Sequence, residues 1–174
     1  GEDLIIEGTI SKKLYEGMHV IMTVMASWDI GLKKIKIQAD RLVEDDFSPS
    51  ETGSFFSGGV DSFYTYLKHS SDTDDVLKHF ILVNGYDIDP RNSKLWQETL
   101  KNVQRISADE SINLIKAESN IRQLIEPIFP WDYTHGGCLA AIGLCLRGLL
   151  KKIYIPSSYT NDQQFPWGSH LKTD

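Results

Sequence analysis

The sequence predicts an α/β protein: a doubly wound parallel sheet with an N-terminal β-α-β extension. Three observations carry the prediction. Strand-length runs alternate with longer segments whose apolar residues recur at three- and four-residue steps, the order that builds parallel sheets. One run, Phe80-Ile81-Leu82-Val83, is continuously apolar, as in a strand covered on both faces. One strand-to-helix junction reads Phe55-Phe56-Ser57-Gly58-Gly59-Val60-Asp61-Ser62, with two glycines where the chain must turn sharply.

The elements follow in order. Leu4 to Ile10 reads as a short strand, and residues 11–28 as an amphipathic helix capped by Ser11. Its stripe is Leu14, Met18, Ile21, Met22, Met25 and Trp28, read as core packing. Lys34 to Ala39 alternates strictly, which gives a strand with one wet face. These elements make the extension, residues 1–47; Arg41 to Gly53 is polar and acidic and reads as a linker. The main domain, residues 48–174, starts with the strand ending at Phe56 and a helix carrying Phe63, Tyr66 and Leu67 at helical spacing. A polar turn over 70–75 leads to a strand over 78–84, then to a helix over 92–106 with Asn92 as its cap. Asn113 to Ala117 is the next strand, and residues 121–125 a short helix stopped before Pro127. Residues 130–133 read as a loop, 134–150 as a strongly apolar helix, 152–156 as the fourth strand of the domain, and the rest as an irregular tail. The loop Asp87 to Asn92 has the outline of a calcium loop. Arg91 stands at a ligand position and Asn92 at that of the turn glycine, so it reads as a connection.

The Ser-Gly-Gly junction is where chemistry is expected. A strand feeding a helix through glycines lets backbone N–H groups approach a phosphate, at the favourable end of the helix dipole. Ser57 and Ser62 add hydroxyls, and Asp61 is a carboxylate able to hold magnesium beside the phosphates. An ordinary capped turn is the competing reading of glycines alone. No Gly-Lys-Ser/Thr follows, which excludes a Walker loop, and Gly-x-Gly-x-x-Gly is absent.

The whole string Ser57-Gly58-Gly59-Val60-Asp61-Ser62 resembles the signature of the PP-loop, or N-type, ATP pyrophosphatases. That superfamily includes asparagine synthetase, GMP synthetase, tRNA thiolases and 7-cyano-7-deazaguanine synthase. The resemblance implies the Rossmann-like HUP fold, with ATP and Mg2+ as cofactors. It implies an enzyme that adenylates a carbonyl or carboxyl oxygen, releases pyrophosphate, and lets a nitrogen or sulfur nucleophile displace AMP. Ser57, Gly58, Gly59, Val60 and Ser62 would then hold phosphate and Asp61 the metal, with Ser57 and Asp61 serving catalysis. Val83 and Asn84 match the place where the superfamily holds adenine through main-chain groups. The fold sets the phosphate strand beside the fourth strand, so Ser157 and Ser158, with Tyr159 and Thr160, fall where phosphate or acyl substrate would be positioned. A polar loop cap is the competing reading for each. His135, expected at the start of the apolar helix, is a candidate acid–base group or phosphate ligand, weighed against plain helix capping. Pro166-Trp167-Gly168-Ser169-His170 resembles a subgroup near the nitrile-synthase branch, yet the zinc-binding cysteine cluster of that branch is absent.

Composition narrows the partners. The formal charge of −6 argues against nucleic acid, which needs clustered Lys and Arg. The groups Lys33, Lys34, Lys36 and Arg147, Lys151, Lys152 read as solvated element ends. No run approaches the roughly 20 apolar residues that span a bilayer. The two cysteines, Cys138 and Cys145, lie about 10 Å apart along one helix, too far for a disulfide, so they read as core thiols in a reducing cytoplasm. A small-molecule substrate is expected. The chain opens Gly1-Glu2-Asp3 and stops in a site-like loop, from which an incomplete C-terminus is expected. The sheet edge beyond the fourth strand would then be covered by a missing segment or a homodimer partner. Two other functions fit the same residues: a non-catalytic adenine-nucleotide sensor, disfavoured by the loop carboxylate, and a tRNA-modifying thiolase, disfavoured by the charge.

Overall fold

The computed structural model describes residues 2–71, 75–157 and 165–169, in two compact units that divide between Phe47 and Ser48. In the first, β1 (Leu4–Ser11) runs parallel to β2 (Ile37–Val43), joined by α1 (Lys12–Ala26). Ser11 caps α1, its Oγ accepting the Leu14 N–H at 3.2 Å. The second strand lies three residues further on than its alternation suggests. Its extent follows its partner: the register runs from Leu4 opposite Ile37 to Ser11 opposite Val43. The strand therefore takes in Arg41 to Val43, read above as linker. The six residues of the α1 stripe are only half-buried, and full burial in this unit goes to Ile10 and Ile37. Two strands and one helix enclose little apolar volume.

The second unit is a four-stranded parallel sheet in the order β5-β4-β3-β6. Its elements are β3 (Glu51–Phe55), α2 (Val60–His69), β4 (Leu77–Asn84), α3 (Ser93–Asp109), β5 (Asn113–Glu118), α4 (Ile121–Ile125), α5 (Trp131–Cys145) and β6 (Leu150–Tyr154). Asn92 caps α3 by accepting the Leu95 N–H. On one face α2 and α3 bury Phe56, Tyr66, Phe80, Leu82 and Val103; on the other, α5 covers Phe55, Ile81 and Leu150. The sheet is thus covered on both sides, which is why β4 is continuously apolar. The winding reverses between β3 and β6, so the carboxyl ends of β4, β3 and β6 meet at a topological switch point.

Boundaries differ from the sequence reading, chiefly at β3 and α5. β3 starts at Glu51, because Thr52 and Ser54, though polar, are buried between β4 and β6. α5 starts at Trp131, after Pro130 in extended conformation, and ends at Cys145 rather than 150. That early end frees Leu150 to open β6 opposite Glu51. Tyr159, Thr160, His170 and the expected C-terminal continuation fall outside the described residues.

At the amino edge of the sheet, His79 is buried on β4 and its Nε2 lies 2.5 Å from Glu51 Oε2. The hydrogen bond from His79 chiefly holds the Glu51 carboxyl below its ordinary 4.5, against a smaller opposing effect of burial. A depressed carboxyl pKa stabilises the fold above the unfolded value, and the contribution is lost as pH falls through the folded value. Melting temperature should drop as pH is lowered below about 4.5, and Glu51→Gln should make that drop shallower. Parallel melting curves for the two proteins across that range would rule Glu51 out as a source of acid sensitivity.

Candidate functional site at the carboxyl edge

The loop between β3 and α2 is held rigidly from below. Phe56, its last buried residue, stacks on Phe80 with ring centroids 4.0 Å apart and meets Phe63 of α2 edge-on at 5.1 Å. From there Ser57, Gly58, Gly59 and Val60 are exposed. Gly58 has φ +82°, in the left-handed region that favours glycine. Gly59, at φ −81° and ψ 172°, is the N-cap of α2 and has no side chain to cap it. The first-turn N–H groups of a helix have no intrahelical partner, so those of α2 face outward beside the loop. Ser62 is buried; its Oγ accepts the Ser57 N–H at 3.2 Å and lies 3.3 Å from Ser57 Oγ. Ser62 therefore pins the loop's curl, which leaves the Ser57 hydroxyl and the loop backbone on the outside. Asp61 is half-buried in the first turn of α2.

β4 supplies the neighbouring wall. The ladder from β3 closes where the Phe56 N–H meets the Ile81 carbonyl at 2.9 Å. Main-chain groups alternate in direction along a parallel strand, so those of Val83 face the same side, beyond the end of β3. Those of Asn84 face β5, where its carbonyl accepts the Ser119 N–H at 3.0 Å. Of this pair, Val83 is the one with main-chain groups turned toward the loop. Gly85, at φ +96°, turns the chain away, and a Cβ there would lie 2.0 Å from the Ser119 carbonyl oxygen.

The other side of the switch point is built from α5 and residues 165–169. The Gly168 N–H donates to the Asp132 carbonyl at 2.7 Å, and Ser157, just past β6, donates its hydroxyl to the Ser169 carbonyl at 3.4 Å. His135 lies in the second turn of α5, not at its start, because the helix begins four residues earlier. Its Nδ1 is 3.3 Å from the Trp131 carbonyl and its ring meets Trp167 edge-on at 5.4 Å. Behind it, Tyr86 donates its hydroxyl to the Cys138 carbonyl at 2.8 Å, and burial pushes that phenol up to about 12. Cys138 is buried and its thiol pushed up by burial, whereas Cys145 is exposed, unlike a core thiol.

The fold thus gathers Ser57 to Ser62, Val83 and Asn84, and Ser157 along one edge of the sheet, while Ser158 lies outside the described residues. Sequence reasoning missed the packing of Gly168 on Gly136, although two small residues in aromatic surroundings were a visible signal. Among the described residues, no group of three or more His, Cys, Asp or Glu is gathered to hold a metal, and no helix is long and apolar enough to cross a membrane. Lys151 and Lys152 each lie 2.8 Å from the one carboxylate of Asp75, which offsets part of this pair's charge within the fold. A shallow depression of about 540 Å³ beside Ser107, Ser111 and Asn113 opens at the amino end of β5, away from these residues. No protein family, curated protein or solved structure matches the chain significantly.

Proposed function

We propose that the protein binds ATP on the β3–α2 loop and cuts it between the α- and β-phosphates. A carbonyl or carboxyl oxygen of a small molecule is adenylated, and a nitrogen or sulfur nucleophile then displaces AMP. The observation that supports this is position. The Ser57-Gly58-Gly59-Val60-Asp61-Ser62 string, like that of PP-loop ATP pyrophosphatases, is exposed from Ser57 to Val60 and lies at a helix N-terminus and at the switch point of a parallel sheet. The loop holds no lysine or arginine, whereas enzymes that break the β–γ bond on a Walker loop use a lysine there. A backbone cradle with serines suits a two-phosphate leaving group, with the α-phosphate left open to attack.

The single carboxylate of Asp61, on the helix turn that adjoins the cradle, is the donor suited to magnesium. That ion commonly takes one or two carboxylates and completes its shell with phosphate oxygens and water. Bound there, it would neutralise charge on the departing pyrophosphate. The chain's own part is to hold the leaving group with loop N–H groups and the Ser57 hydroxyl, and to orient the acceptor for in-line attack.

Incubation with ATP, magnesium and a metabolite extract should yield AMP and pyrophosphate, with adenylated products visible by mass spectrometry. An 18O label in the acceptor oxygen should move into AMP. ATP alone should bind and hydrolyse slowly, since the oriented nucleophile is missing. Steady ADP and phosphate production that disappears with Asp61→Asn would overturn the reaction. ATP binding with no product after long incubation would favour the sensor instead.

A further inference from the structure

We propose that two copies of the chain pair through β5, antiparallel about a two-fold axis at Ala117, joining their sheets into one. β5 is the end strand of the sheet, separated by β4 from β3 and its loop, and the pairing needs no nucleotide. The Ser119 N–H bonds the Asn84 carbonyl at 3.0 Å. Main-chain groups alternate in direction along a strand, so those of Asn113, Ile115 and Ala117 also face β4. Those of Leu114, Lys116 and Glu118 face outward, where no strand of the described residues meets them. Such a row of open donors and acceptors is a template for a further strand.

The side chains decide which strand fits. Leu114 packs on the α2 and α3 face, and Ile115 on the α5 face. Alternation then puts Lys116 and Glu118 together on the α2 and α3 face, with Ala117 between them on the other. Both charged residues are exposed, and among the described residues neither is in an ion pair. Run against itself in reverse, Lys-Ala-Glu is its own charge complement. In an antiparallel pair centred on Ala117, Lys116 lies opposite Glu118 of the second copy, and Glu118 opposite its Lys116. Opposite residues share a face, so both ion pairs form on the α2 and α3 side. The main chains of these residues face outward, so each pair also exchanges its N–H···O bonds. Ala117 meets Ala117 as the non-hydrogen-bonded pair, where Cα atoms approach to about 4.5 Å and a small side chain fits. Moving the axis by one residue either way sets Lys116 against Lys116 or Glu118 against Glu118, which is unfavourable. A second copy is therefore the partner this edge matches, in one register. The opposite edge differs: β6 carries Lys151 and Lys152 in succession, a usual guard against edge pairing.

Sedimentation equilibrium of the full chain should show a monomer–dimer equilibrium. Lys116→Glu and Glu118→Lys each set like charges opposite at both pairs, and each should weaken self-association by about 10-fold or more. Both positions are exposed, so neither change should disturb the fold. Mixing the two variants should restore the dimer, because every pair across the mixed interface again joins opposite charges. Ala117→Cys, combined with Cys145→Ser to remove the exposed thiol, should give a disulfide-linked dimer on mild oxidation. A Cα separation of about 4.5 Å lies within disulfide reach. A chain that stays monomeric at millimolar concentration overturns the proposal. So does a dimer that both charge reversals leave intact, as one built through β6 or the first unit would be. A mixture of the two variants that does not reassociate, or an Ala117→Cys dimer that stays unlinked, overturns it as well.

Discussion

Asp61→Asn is expected to reduce magnesium-dependent formation of AMP and pyrophosphate by about 100-fold or more while leaving the fold in place. The loss is large because charge on a leaving diphosphate must be neutralised in the transition state, and removing such stabilisation typically costs on the order of 10²–10³ in rate. The fold should tolerate the change because Asn has the same shape and Asp61 is half-buried in the first turn of α2. The lost attraction between a carboxylate and the helix N-terminus is worth about 0.3–1 kcal/mol. Ser57→Ala should be milder, since one neutral hydrogen bond contributes about 0.5–1.5 kcal/mol. The separating measurement is ATP affinity with and without magnesium. The unmodified chain should bind more tightly with the ion, and Asp61→Asn should show the same affinity in both. Magnesium-dependent turnover that survives in the variant would remove Asp61 from the site.

How much of this was legible depended on which interactions specify each element. The apolar run of β4 and the helical spacing of α2 and α3 speak for themselves, because burial on a face leaves a period in the sequence. The capping residues Ser11 and Asn92 were equally readable, since the hydrogen bond they make is local. β3 was harder. Glu51-Thr52-Gly53 looks like the end of a linker, yet Thr52, like Ser54 after it, is almost fully buried. A Cβ on Gly53 would come within 2.9 Å of Leu150 Cδ1, so the strand is made of small residues because β6 packs tightly beside it. Periodicity carries no trace of that. The same limit applies to the site. The glycine loop is a contiguous string and could be read; the direction of the Val83 main chain follows from strand register, which is a long-range property.

The glycine pair Gly136-Gly137 is expected to respond to alanine with opposite signs. Both lie in α5, where alanine is favoured over glycine by about 1 kcal/mol when nothing else intervenes. Nothing lies within 4 Å of a Cβ on Gly137, so Gly137→Ala should stabilise the protein by roughly that amount. A Cβ on Gly136 would sit 1.7 Å from the Gly168 carbonyl oxygen and 2.5 Å from its carbon. Both are backbone atoms, which cannot swing aside as a side chain does. Relief requires moving Gly168 itself, which is tied to the Asp132 carbonyl and would carry Trp167 off the His135 ring. Overpacking of this kind typically costs about 1–3 kcal/mol, so Gly136→Ala should lower stability by about 2 kcal/mol in urea denaturation despite its better helix propensity. Tryptophan fluorescence should change with it, as Trp167 leaves His135. Equal stabilisation by both alanines would mean that residues 165–169 do not pack on α5 in solution.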